Sequence, residues 1–339
     1  THQLHGHVSM RYRNNSADTL RELWFHAWPR AFSQSNTAFG RQQLRAGETG
    51  FYFAEATERG TMDSLSFTID GTLQEHTFDE DDPDVLFIRP TRPVLPGTTI
   101  TIATPFRVQI PASFSRLGHV GESYQITQWY PKPAVYDRDG WHPMPYLDQG
   151  EYYAEFGRFQ VDITLPENYV VGATGALQDA AERAWLLEKA KGQNDWAYDS
   201  FPPSATTFKT LRYVADDVHD FAWFADKRFR VRHDTLARPR VPGKDQEAVH
   251  VWAMYTPTEA ELWNGATNYL KRSLRFYSDK IGEYPYPQMT AVQSALSAGG
   301  GMEYPMLTVI GLSGTARDLD EVLAHEVGHN WFQGVLASN

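Results

Sequence analysis

The sequence predicts a multidomain chain: an antiparallel β region, sandwich or saddle-like, over residues 1–238, then a region of α/β character over residues 239–339. Three observations carry this. Short alternating apolar runs fill the first part, a Pro/Gly-rich stretch interrupts the chain past its middle, and apolar residues at three- and four-residue spacing dominate the remainder.

In chain order, Leu23, Phe25 and Ala27 alternate in one run, and Leu65, Phe67 and Ile69 in another that ends at the turn pair Asp70 and Gly71. Thr99 to Phe106, Tyr152 to Ile163, Phe208 to Tyr213 and Phe229 to Arg232 read as further strands. The stretch Leu236 to Gln246 carries two prolines and a glycine, as an interdomain linker or a hairpin loop would, and the domain boundary is placed there. After a strand over Val249 to Tyr255, Thr256 as N-cap, Pro257 and Glu259 form a capping box. Leu262, Ala266, Tyr269, Leu270, Leu274, Tyr277 and Ile281 then predict one long helix stopped by Gly282. Strands over Thr290–Gln293 and Met306–Ile310 flank the glycine run Gly299 to Gly301, and a second helix starts near Asp318, with Leu319, Val322, Leu323, Val327 and Trp331 on its apolar side.

The 339 residues are 41% hydrophobic and 14% aromatic, enough to bury a substantial core and to exclude wholesale disorder. A formal net charge of −11 repels a phosphate backbone, so no nucleic-acid partner is expected. No run of apolar residues reaches membrane-spanning length. With no cysteine, disulfides, thiolate metal sites and cysteine nucleophiles are excluded. An acidic chain that begins at Thr1 fits a processed bacterial periplasmic or extracellular protein, and also a trimmed cytosolic one. Neither oligomeric state nor side-chain preference leaves a signal.

His325, Glu326, Val327, Gly328 and His329 spell HExxH, a pattern that chance would supply roughly 0.05 times in a chain of this composition. Residues four apart lie on one helical face, so His325 and His329 can offer two imidazole nitrogens to one Zn²⁺. Glu326, beside the first of them, is placed to take a proton from the water that zinc activates. Gly328 in mid-helix costs about 1 kcal/mol against alanine, which suggests that backbone or substrate approaches closely there. The residues three and six places after His329 are Phe332 and Val335, which excludes a metzincin. Weaker features are a histidine cluster (His2, His5, His7), the acidic run Asp79 to Asp84, read as a solvated loop, and the aromatics Trp129, Tyr130, Trp141 and Tyr146, read as packing.

At these residues the chain resembles the gluzincin zinc aminopeptidases, the family of aminopeptidase N and leukotriene hydrolase. HEVGHNWFQG, from His325 to Gly334, is similar to the family's HExxH followed by a polar residue, Trp and Phe, and Gly300 to Tyr304 resembles its GxMEN motif. Tyr304 stands where the family has Asn. Asp220 to Trp223 and Thr127 to Trp129 resemble two further family segments. The resemblance implies a thermolysin-like catalytic domain after the β domain, one Zn²⁺ per site, and peptide substrates with a free N-terminus. It implies that Glu303 binds the substrate's α-amine, that backbone groups of Gly300, Gly301 and Met302 pair with the substrate, and that Gln128 reaches the first substrate pocket. It also places the third zinc ligand, a Glu, beyond Asn339. The expectation is therefore an N-terminal portion of a peptidase that alone holds zinc weakly, through His325 and His329, with little or no activity. The residues leave open an endopeptidase or non-peptide zinc hydrolase, and a non-catalytic protein-binding module with a vestigial metal site.

Overall fold

The computed structural model describes residues 2–150, 152–192, 200–238, 248–294 and 300–336, arranged as two compact units. Gly299 and most of the Leu236–Gln246 stretch lie outside the described residues. The first unit takes residues up to His119 together with Gln128–Glu155, and the second takes Val120–Thr127 and the chain from Phe156 onward.

The first unit is antiparallel. Gln3–Arg13 pairs along its whole length with Thr99–Gln109, which in turn pairs with Thr61–Asp63 and Thr68–Ile69. Leu23–His26, Val85–Ile88, Lys132–Pro133 and His76–Phe78 make a second sheet. Strand alternation sends Phe25 into the core against Phe67, with ring centroids 5.2 Å apart. Phe32, Phe39 and Tyr146 pack on one another and are fully buried, so Tyr146 is core, in keeping with its reading as packing. The turn at Asp70 and Gly71 has φ of 48° and 80°, the left-handed geometry a tight hairpin requires. Strand structure before it is limited to Thr68–Ile69. His5 and His7 share the exposed face of the first strand. The acidic run is not wholly solvated: Asp84 is fully buried, and its carboxylate accepts the Tyr146 N–H.

In the second unit, Gly157–Pro166 pairs antiparallel with Phe208–Val218, so the strand expected from Tyr152 begins only at Gly157. The sheet that matters for the site has five strands, in the order Arg230–Leu236, Val249–Tyr255, Gln288–Gln293, Leu307–Ile310, Gly301–Tyr304. Its two central pairings are parallel and its two outer ones antiparallel. Val251, Ala253, Met289 and Ala291 pack with Leu270, Leu274, Leu323 and Val327 of two helices, Ala266–Lys280 and Ala316–Phe332, in one apolar core.

Two expectations are corrected. The boundary at residue 238/239 falls inside the second unit: every residue from Arg230 to Leu236 pairs with Val249–Tyr255, so the stretch between them joins two strands of one sheet. The pairing agrees with the hairpin-loop alternative for this stretch; a Pro/Gly-rich composition suits a linker and a hairpin loop equally and does not choose between them. Nor does one helix run from Thr256. A short 3-10 turn, Pro257–Glu259, and a single α turn, Ala260–Trp263, precede the helix that begins at Ala266. Thr256 makes no side-chain cap; its N–H and hydroxyl both donate to Gln293 Oε1, while the Glu259 carboxylate accepts from Gln293 Nε2 and Ser313 N. Tertiary partners thus replace the local capping box.

Candidate metal centre

The HExxH residues lie on the Ala316–Phe332 helix. Its N-cap is Thr315, whose hydroxyl accepts the Asp318 N–H, so the helix starts ahead of the expected Asp318. Leu319, Leu323 and Val327 bury one face in the core, and Trp331 Nε1 donates to Gly282 O at 2.8 Å. This seating fixes the rotation of the helix. His325 and His329 turn outward, and their Nε2 atoms stand 3.2 Å apart. Two Zn–N bonds of about 2.0–2.1 Å at a tetrahedral angle span roughly 3.3 Å, so the pair fits one zinc ion.

Glu326 lies on the adjacent side of the helix, 4% exposed, under the edge strand Gly301–Tyr304. A Cβ on Gly301 would stand 2.6 Å from Glu326 Oε1, and one on Gly300 would stand 3.3 Å from Val322 Cγ2. The two glycines therefore let the strand lie directly on the helix, one turn apart. The strand pairs on one side with Leu307–Ile310, and among the described residues no strand pairs with its other side. Met302 faces Val309 and Glu303 faces Thr308 in this pairing. Glu303 reaches back over the helix, its Oε1 3.9 Å from His329 Nδ1. Glu303, Glu326 and His329 offer donor atoms all within 4.8 Å of one another.

The structure thus brings together His325, Glu326, His329, Glu303, Gly300, Gly301 and Met302. Gln128 belongs to the first unit, where it is buried with a left-handed backbone, φ 46°. Tyr304 turns to the other face of the strand, its ring 6.2 Å from that of Phe224. Gly328 has a different neighbour from the one expected: a Cβ there would stand 2.7 Å from Tyr277 Oη, so the partly buried Tyr277 side chain, not a substrate, fills the space. Sequence reading missed Tyr277 in this role and also missed Asn330, a buried polar residue in the last turn of the helix, whose helix-disfavouring side chain was the available signal.

No family model and no curated protein matches the chain. Solved structures do. An M1 zinc metallopeptidase from Deinococcus radiodurans superposes with a TM-score of 0.55 at 16% identity, over 97% of this chain and 60% of the other. A variant M1 zinc metallopeptidase from the same organism, bound to a Tyr-Ser-Ala substrate, gives 0.56 at 14% identity over 97% and 60%.

The chain has the M1 zinc metallopeptidase fold.

Aminopeptidase A of Legionella pneumophila, in complex with aspartic acid, shares that fold with a TM-score of 0.52 at 14% identity, over 80% of this chain and 29% of its own. The resemblance read from the HExxH and GxMEN-like motifs is borne out at the level of fold. The M1 fold covers nearly the whole chain, which spans about 60% of the length of the Deinococcus structures. Its sheet-rich first part agrees with the fold class expected from the sequence.

Proposed function

We propose that the chain is part of a zinc-dependent aminopeptidase, with the β-rich region as a saddle-like N-terminal domain and the five-stranded sheet with its helices as the start of a thermolysin-like catalytic domain. The observation that carries this is the pair of imidazole Nε2 atoms 3.2 Å apart on one helix, with Glu326 and Glu303 beside them. Zinc held by His325 and His329 would supply a Lewis acid that polarises the scissile carbonyl and acidifies a water molecule. Glu326 takes the proton of the attacking water and returns it to the leaving amine. Its burial beneath the strand limits competing solvent. Glu303 accepts hydrogen bonds from the substrate's α-ammonium, and the open side of Gly301–Tyr304 receives the substrate backbone as an added strand. In this reading the third zinc ligand is a carboxylate outside the present 339 residues, and the chain alone holds zinc weakly.

The test compares zinc content after dialysis, and hydrolysis of free-amine and N-acetylated peptides, for a chain extended to include the third ligand and for its Glu326→Gln variant. The expected outcome is zinc retained equally by both proteins, with any free-amine hydrolysis confined to wild type. Equal turnover by Glu326→Gln sinks the role of Glu326. Preference for blocked peptides points to an endopeptidase, and stoichiometric zinc without hydrolysis in a chain extended to include the third ligand points to a binding module.

A further inference from the structure

We infer that Asn330 is a positioning residue: its side-chain carbonyl holds the Pro305–Met306 turn, and through it Glu303, at a fixed offset from His329. The functional half of this rests on the reading of Glu303 as the amine anchor.

Asn330 follows His329 directly and is 3% exposed. Buried amides need partners, and this one has them on both atoms. Oδ1 accepts from Met306 N at 3.1 Å and from Tyr284 Oη at 3.4 Å; Nδ2 donates to Val327 O at 3.2 Å and lies 3.7 Å from Met289 Sδ. Only the bond to Met306 reaches the strand pair that carries Glu303.

The turn at the other end of that bond breaks a local rule. Tyr304 pairs with Leu307, leaving a two-residue loop of Pro305 and Met306. Met306 has φ 61°, a conformation that Gly or Asn adopts readily and that costs an ordinary side chain roughly 1–2 kcal/mol. A methionine stays there because its surroundings hold it: its side chain is in the core, its carbonyl accepts Thr290 N at 2.9 Å, and its N–H is taken by Asn330. Glu303 lies three residues upstream in a four-residue strand that has one partner strand among the described residues, so a shift of the turn is transmitted to it. The metal helix and the amine-anchoring strand are thereby tied by one side chain adjacent to a metal-binding histidine.

The experiment uses amide hydrogen exchange on the 339-residue chain, with Asn330→Ala and with Asn330→Asp, which keeps an acceptor for Met306 N–H. In Asn330→Ala, amides of Gly301–Tyr304 and Met306 are expected to exchange about tenfold faster, the worth of one hydrogen bond, while Arg230–Leu236 and Val249–Tyr255 keep their rates; Asn330→Asp shows a smaller rise. A uniform rise over the whole sheet, or none, overturns the inference. Wild type gives a check that needs no variant: Met306 N–H should be among the slowest amides of the hairpin, and fast exchange there also overturns it. In peptide assays on a chain extended to include the third zinc ligand, Asn330→Ala is expected to lower the ratio of free-amine to N-acetyl kcat/KM several-fold at unchanged zinc content. Equal loss on both substrates means a purely structural role. If wild type shows no free-amine preference, the aminopeptidase reading fails while the exchange result still decides the tie.

Discussion

Gly301 and Gly328 are glycines because other groups occupy the places where their side chains would be. For Gly328→Ala, the helix-propensity gain of about 1 kcal/mol competes with a contact 2.7 Å from Tyr277 Oη. We expect net destabilisation of about 1–2 kcal/mol in urea unfolding, reduced when Tyr277 is also replaced by Leu; a stabilised single variant would refute the packing account. Two buried titratable groups in the first unit set opposite pH dependences. Burial pushes the Asp84 carboxyl up to about 7, against the lowering effect of the Tyr146 N–H, so the stability contributed by its neutral form is present below the ordinary carboxylate pKa and lost as pH rises through 7. Burial, reinforced by the Lys132 charge, pushes His26 down to about 3, so its contribution is present above its ordinary pKa of 6.5 and lost as pH falls toward 3. Asp84→Asn should flatten the fall in unfolding free energy between pH 4 and 7, a fall on the order of 4 kcal/mol at most from this group. An unchanged slope would show that Asp84 ionises freely. Asp84 sits in a run of acids that reads as a solvated loop, and only its place beneath Tyr146 distinguishes it.

Helix ends show how local and tertiary signals share control. Thr315 caps the HExxH helix through Asp318 N, and Thr315→Ala should cost about 1 kcal/mol in denaturant unfolding, with the His325–His329 spacing and any zinc content unchanged. The start of the preceding helical segment has no such local cap, because Gln293 collects both Thr256 donors and one Glu259 oxygen. Gln293→Leu should therefore destabilise by roughly 2–3 kcal/mol, more than any change to the Thr256 hydroxyl alone; equal effects would restore the local capping box as the controlling contact. The strands over Val249–Tyr255 and near Thr290 and Ile310 were legible from their apolar runs, as was the apolar side of the HExxH helix. The break at Gly265 was not, since Leu262 and Ala266 keep helical spacing across it while Trp263 turns fully into the core.

At the scale of the whole molecule, zinc should act as a folding ligand. Excess zinc is expected to raise the Tm of wild type and leave that of His325→Ala unchanged, because a ligand that binds only the folded chain stabilises it by mass action; equal shifts would place the metal elsewhere. The M1 fold is kept at 14–16% identity, so most individual residues are replaceable where the pattern of burial is kept. The sequence by itself determined the HExxH spacing on one helical face and the β-then-α/β order, which follow from periodicities of two and 3.6 residues, whereas Gly300, Gly301 and Glu303 were singled out by resemblance to a family motif alone. Only the tertiary structure decided that the strand ending at Leu236 belongs with the α/β sheet, that Tyr277 fills the space over Gly328, and that Asn330 reaches Met306. Each of these is a contact between residues far apart in the chain, and local pattern carries no information about which distant group will fill a given space or accept a given hydrogen bond.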